Sequence, residues 1–324
     1  MRAVVLWLAL VPFAAAGQAR APTVEIAFVG DVMVAETPGE LIARGQDPFA
    51  PFADWLQRAD LRVGNLECVV ATGGTPEPGK PYTFRADPRV LPLLKRHFDG
   101  MSVANNHSGD FGKAAFVEML QLMRKAQLPY FGGGKDLHEA HAPWIVERNG
   151  LRIALLGYVE FKPRSFEAGA GRPGVAWSGE EEQVIEDIIA ARSRHRADLV
   201  IPYLHWGWED EQYTSERQRR FARAMIDAGA DLVVGAHPHV TQGVELYKDR
   251  PIVYSLGNFL FNGFDTPATL TGWTLEATLD RTGVADWRIR VARLDKNGVP
   301  HPDVQATAPC GKRGDAVVGE CRGD

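Results

Sequence analysis

From Thr23 onward the chain alternates two apolar patterns. Short continuous runs of mostly Val, Ile and Leu at Val24–Val29, Leu61–Leu66, Gly100–Ala104, Leu151–Gly157, Asp198–Leu204, Asp231–Gly235 and Ile252–Leu256 predict strands buried in a sheet. Between them lie segments of helical period. Lys113–Gln127 places Phe116, Met119, Leu120 and Met123 on one face, and Ser215–Gly229 does the same with Phe221, Ala224, Met225 and Ala228. In the latter, Ser215 is a candidate N-cap and Gly229 a candidate stop. Glu180–His195, with Val184, Ile185, Ile188 and Ile189, is the third such helix, and its acidic start suits the helix dipole. After Gly272 the period falls to two. Trp273, Leu275, Ala277 and Leu279 alternate with polar residues, which predicts an antiparallel strand, and Trp287–Leu294 repeats the pattern with a phase slip near Ala292 that reads as a bulge. Strand and helix alternate without an internal repeat or a linker-like break, so residues 23–295 read as one α/β domain, with 296–324 as a C-terminal tail.

Composition narrows the class. The chain has 324 residues, 45% hydrophobic and 24% charged, with a net charge of −5. This is a globular composition without a general basic field, so nucleic acid is not an expected partner. The first residues differ from the rest: Arg2, an apolar stretch from Ala3 to Phe13, then Ala14, Ala15 and Ala16. The stretch is shorter than the roughly 20 residues a membrane span needs, and the alanines supply a cleavage signature. Residues 1–16 therefore read as a secretory signal peptide cut after Ala16, or alternatively after Ala21, and the protein as exported to the periplasm or beyond. Export makes a disulfide between Cys310 and Cys321 reasonable in the Gly-rich tail, and leaves Cys68 as a small buried thiol.

The chemistry gathers where the strands end. In α/β sheets ligands bind beyond the carboxyl ends of the strands. Here the runs lead into Gly30-Asp31, into Asn65 and Glu67, into Asn105-Asn106-His107, into His205, into His237-Pro238-His239 and into Gly257-Asn258. Taken singly, such an Asp is usually a helix cap and such a His a packed or surface residue. Together they form a donor set suited to Zn, Mn, Fe or Mg.

These residues lie in motifs that resemble one family: GDVM at Gly30–Met33, GNLE at Gly64–Glu67, YTFRADP from Tyr82, ANNHSGDFG from Ala104, PYFGGG from Pro129, HWGWE from His205, GAHPHVTQG from Gly235 and YSLGNFLF from Tyr254. The sequence resembles the capsule-synthesis (CapA, poly-γ-glutamate synthesis) family, of calcineurin-like metallophosphatase fold, over about Ile26 to Phe261. The resemblance implies a four-layer α/β/β/α sandwich with one or two divalent metal ions at the strand ends. It implies Asp31 as a ligand of the first metal with His239, Asn65 or Glu67 in the bridging region, and Asn106, His205 and His237 on the second. It further implies His107 as general acid, oriented by Asp110. Two departures stand out. Met33 occupies a position where phosphatases of this fold carry a ligand His, and the amide of Asn65 replaces the usual bridging Asp, with Glu67 two residues along as a substitute on the same face. The second metal is accordingly expected to bind more tightly than the first.

Other features carry less. Lys80 and Arg85 flank Tyr82 and Phe84, and either hold an anionic substrate group or structure their own loop. Trp206 and Trp208 line a substrate groove or pack in the core and at its rim. No P-loop, no G-x-G-x-x-G after the first strand and no G-x-S-x-G occurs. The resemblance implies an exported protein handling an anionic envelope polymer of poly-γ-glutamate type, as a metal-dependent hydrolase or transferase on a phosphoester or γ-glutamyl bond. The alternatives are a non-catalytic component that binds the polymer or a membrane synthase, and a general periplasmic phosphoesterase.

Overall fold

A computed structural model describes residues 21–160 and 164–323. The proposed signal peptide and the first residues of the segment Lys162–Trp177 fall outside the described residues.

Two sheets stack face to face. The first has the strand order Gly319–Arg322, Thr307–Lys312, Gly283–Leu294, Thr271–Asp280, Val24–Val32, Leu61–Leu66, Gly100–Ser102, Tyr130–Phe131. Its last four strands run parallel and Thr271–Asp280 antiparallel to them. The second sheet has the order Thr241–Tyr247, Arg250–Leu256, Val233–Ala236, Leu199–His205, Leu151–Val159, Trp144–Arg148, with the four inner strands parallel. Period-two burial divides the side chains of each strand between two cores. Ile26 and Phe28 join Ile153, Leu155, Ile201 and Val234 between the sheets, while Ala27 and Val29 face outward. The Tyr203 hydroxyl, buried in that middle layer, donates to the Val29 carbonyl at 2.7 Å and ties one sheet to the other.

Helices close both outer faces. Over the first sheet lie α1 (Glu36–Ala43), α2 (Ala53–Arg58), α3 (Leu91–His97) and α4 (Gly112–Lys125), the last burying the expected Phe116, Met119, Leu120 and Met123. A short α5 (Leu137–His141), α6 (Glu181–Ser193) and α7 (Glu216–Asp227) cover the second sheet. In α7 the Ser215 cap is part of a full capping box, Ser215 Oγ accepting from Gln218 N–H and the Gln218 side chain accepting from Ser215 N–H. The result is the expected four-layer α/β/β/α sandwich.

The structure corrects several local readings. The phase slip at Ala292 is not a bulge: Ala292 pairs regularly with Gly272 and turns to the helix-side core, while the register breaks where Ala285 has no partner, between the Thr278–Asp286 and Leu279–Val284 pairs. Ile189 of α6 is half exposed, because the helix turns Val184, Ile188 and Ala191, with Ile185 beside them, to the core. Residues 307–322 form a hairpin that extends the first sheet and is closed by the Cys310–Cys321 disulfide. Arg313 fastens it with two hydrogen bonds to the Asp280 carboxylate. Cys68 is buried and free, and burial pushes its thiol up to about 12. Among the described residues no helix is long and apolar enough to cross a membrane.

Candidate metal centre

Parallel strands deliver their carboxyl ends to one edge, and here both sheets do so at the same place. Asp31 is in register with Asn65 on one side and Asn258 on the other, and a register shift between Phe28 and Asp31 re-aims the strand end. His205 ends its strand opposite Ala236, which leads into His237. The approach is close: a Cβ on Gly30 would lie 1.9 Å from the Gly257 carbonyl oxygen, and the Asp31 N–H donates to that oxygen at 3.0 Å. His237 and His239, flanking Pro238, take φ values of +99° and +58°. Such strain in residues with a Cβ persists where surroundings over-determine it, as at ligand clamps. The His237 N–H donates to Asp31 Oδ2 at 3.2 Å.

Two donor groups result, Asp31–Glu67–His239 and Glu67–His205–His237, each with its ligand atoms within 4.8 Å of one another and every residue buried. Glu67 belongs to both. Its Oε1 is buried without a hydrogen-bond donor, 3.5 Å from His205 Nε2 and 3.7 Å from His239 Nε2. A carboxylate oxygen so placed is available to a cation. Burial raises the Asp31 and Glu67 carboxyls, Glu67 further because Asp31 lies beside it. It pushes the His205 and His237 imidazoles well down, toward the neutral form that ligates metal.

Hydrogen bonds fix which atoms face the centre. Asn258 Nδ2 donates to the carbonyls of His239 and Thr269, so its Oδ1 accepts from His239 Nδ1 at 2.8 Å and leaves Nε2 as the ligand atom. A similar chain settles Asn65. The His107 N–H can only donate, so Asn105 Oδ1 receives it at 3.1 Å, and Asn105 Nδ2 donates to the Leu66 carbonyl and to Asn65 Oδ1. The Asn65 Nδ2 therefore points inward, 2.9 Å from Asp31 Oδ1 and 3.2 Å from His205 Nδ1. This runs against the expectation of Asn65 as a ligand: an amide N–H has no lone pair to offer. Asn106 does turn an oxygen inward, 2.7 Å from His205 Nε2, which also lies 3.0 Å from His237 Nδ1. Met33 is fully buried in the helix-side core, its sulfur accepting from the Ala35 N–H.

His107 stands beside the centre with its Nδ1 2.7 Å from Asp110 Oδ2. Burial lowers its pKa despite that carboxylate. Asp110 also accepts from the Phe84 N–H and from Lys80 Nζ, and Lys80 donates in addition to the Asn106 carbonyl. Lys80 is thus the counter-ion of Asp110 rather than a cation aimed at substrate. Arg85, likewise expected at substrate, donates to the Gly73 and Gly74 carbonyls and stacks on Phe111. It structures its own loop. Trp206 is core, its Nε1–H on the Tyr254 carbonyl, whereas Trp208 is exposed. The supports Asn105 and Asn258 were in view as strand-end residues, but their donor directions have no sequence signal.

A four-layer sandwich whose two sheets converge on two carboxylates and three imidazoles defines a candidate metal-binding protein. The chain belongs to the bacterial capsule synthesis protein family PGA_cap, whose family model matches residues 25–263. It is 31% identical over 283 residues to the PGA biosynthesis protein CapA of Bacillus subtilis (strain 168), covering 83% of this chain and 72% of that one. It is 33% identical over 264 residues to the capsule biosynthesis protein CapA of Bacillus anthracis, covering 76% of this chain and 60% of that relative's length. Among solved structures, a hypothetical protein from Thermus thermophilus superposes with a TM-score of 0.54 at 14% identity, over 82% of this chain and 98% of that one, a likeness of fold alone.

Proposed function

We propose that this chain is an exported, metal-dependent hydrolase or transferase concerned with an anionic envelope polymer of poly-γ-glutamate type, acting at a phosphoester or γ-glutamyl bond. The observation that carries the reading is the shared Glu67, whose unbonded buried oxygen lies between two donor groups with the His107–Asp110 pair alongside. Divalent ions, when bound, supply Lewis acidity there. Asp31 and His239 would hold one, and His205 and His237, with Asn106 beside them, the other. Asp110 fixes the proton on His107 Nδ1, so Nε2 is the atom that exchanges a proton with the reacting group. Lys80 pairs with the Asp110 carboxylate, and the backbone N–H of Phe84 holds its direction.

Purified protein assayed with Mn or Zn on phosphomonoester, phosphodiester and γ-glutamyl substrates is expected to turn over one class, with His107→Ala reduced by about 100-fold or more. No turnover on any, together with loss of polymer in cells carrying His107→Ala, would end the enzymatic reading. That outcome favours a second one, a non-catalytic component that binds the polymer or a membrane synthase. The inward N–H of Asn65 and the thioether of Met33 support this alternative, since both deprive the first donor group of a ligand.

A further inference from the structure

The residues of the metal centre are shut off from solvent to different degrees. Asp31, Glu67 and His237 have no exposed surface and His205 only 1%, whereas His107 and His239 keep 5% and 4% and Asn106 is half-buried. A ligand therefore approaches along the side that Asn106, His107 and His239 share. That side carries a run of aromatic rings. Phe84 lies against the His107 imidazole at 4.5 Å between centroids, and Phe261 meets Phe84 edge-on at 5.5 Å. Phe264 meets Phe261 at 5.3 Å, and both touch the His239 imidazole, Phe261 at 5.0 Å and Phe264 at 4.8 Å. Ring contacts thus lead without a break from His107 to His239.

The three phenylalanines differ in what they leave open. Phe84 and Phe261 are buried in the helix-side core, and their backbone N–H groups donate to Asp110 and to the Gly298 carbonyl. Phe264 packs against the same core but is only half-buried, carried past the strand Asn258–Leu260 by Gly263 at a φ of +96°. Apolar area left in water beside a reaction centre is area that a ligand can cover, and binding sites are lined largely by such rings around a few polar groups. Lys80 and Arg85, on either side of Phe84 in sequence, are held by Asp110 and by the Gly73 and Gly74 carbonyls. The wall therefore offers a ligand carbon rather than their charge.

We propose that Phe264 is a specificity-determining residue of the metal centre, whose half-exposed ring receives an apolar stem of two or more methylenes attached to the group held by the metals. The inference rests on the metal-dependent reading above and narrows it to substrates whose reacting group ends a methylene chain. The γ-glutamyl carbonyl is such a group, with two methylenes behind it, and a bare phosphate is not.

The test uses the full chain loaded with Mn, its metal content fixed first by mass spectrometry. Methyl-, propyl- and pentylphosphonate serve as non-hydrolysable probes, and their binding is measured by calorimetry. Each added pair of methylenes should tighten binding to wild type by about tenfold. In Phe264→Ala the methyl compound should bind as in wild type and the gain per pair should fall to about twofold or less, while Phe264→Leu, which keeps an apolar side chain, retains most of it. A flat series in wild type, a series equally steep in Phe264→Ala, or metal-loaded protein that binds none of the probes overturns the assignment and leaves the metal centre standing. Equal weakening of all three probes in Phe264→Ala with metal retained also overturns it, because Phe264 would then act as a prop for His239. Protein that takes up no metal overturns the metal-dependent reading and this inference together.

Discussion

The two donor groups share Glu67 and differ in everything else. Asp31–Glu67–His239 offers two carboxylates and one imidazole, while Glu67–His205–His237 offers one carboxylate and two imidazoles, with the Asn106 oxygen beside them. The first is the harder site, suited to Mn or Mg, and the second the more borderline one, suited to Zn or Fe. Their supports differ as well. Asn258 prepares His239 for ligation, but Asn65 places an N–H on Asp31 and occupies one of its lone pairs. A single pair of strands therefore carries both the reason for a metal and a brake on its affinity, and occupancy of the first group is expected to trail that of the second.

The largest change should come from the residue they share. Glu67→Gln is expected to lower affinity at both groups by more than about 100-fold, because metal sites already lose 10–100-fold when only a supporting residue is removed. In metal-free protein the same change should stabilise the fold by roughly 1–3 kcal/mol, since it removes a buried carboxylate oxygen without a donor. Metal content by mass spectrometry and paired thermal melts with and without metal check both signs. A variant that keeps two equivalents of metal would remove Glu67 from the bridge.

Next in size is the contrast between His237→Ala and His239→Ala. Each cuts one group only, so equilibrium dialysis should show His237→Ala losing the tighter ion and His239→Ala the weaker. Equal losses would erase the asymmetry between the groups. The Cβ of Ala also relieves neither positive φ, so both variants keep the backbone strain of the turn.

These candidate donors were legible in the sequence because parallel strands must end at one edge: Asp31, Glu67, His205, His237 and His239 each come just after an apolar run, and topology gathers the residues at the ends of such runs. The long amphipathic helices were legible for the same reason of period. The features that escaped did so for physical causes. Helices α1, α2 and α3 are 8, 6 and 7 residues long, too short to display a period. The strand Thr241–Tyr247 lies at a sheet edge and is mostly half-buried, so no continuous apolar run marks it. Lys80 and Arg85 were read by charge, and charge does not reveal that Asp110 and the Gly73 and Gly74 carbonyls already hold them. Asn65 is the sharpest case. Its position among the ligands was set by its place in the strand, but which end of the amide faces inward depends on the His107 N–H, through Asn105.

That amide gives the third prediction. Asn65→Asp replaces an inward donor with a carboxylate at the usual bridging position, next to Asp31 and Glu67. Without metal, three buried carboxylates repel and the fold should lose roughly 1–3 kcal/mol. With metal, affinity at the first group should rise by about tenfold or more. Melts with and without Mn separate the two effects, and an Asp variant no tighter than wild type would show that Asn65 does not set the first group's weakness.

Met33→His should produce the smallest change and asks whether the missing ligand is a matter of chemistry or of direction. Met33 lies two residues beyond Asp31, just past the strand end at Val32, so an imidazole there starts close to the first group. The side chain it replaces is fully buried, with its sulfur on the Ala35 N–H, and a His in that space must find a polar partner or cost stability. If the ring reaches the first group, metal supplies that partner: affinity should rise by up to about tenfold, and the melt should recover only when metal is present. If the ring stays in the helix-side core, the variant is destabilised equally with and without metal, and the gap between the two donor groups rests on Asn65 and on their different donor sets.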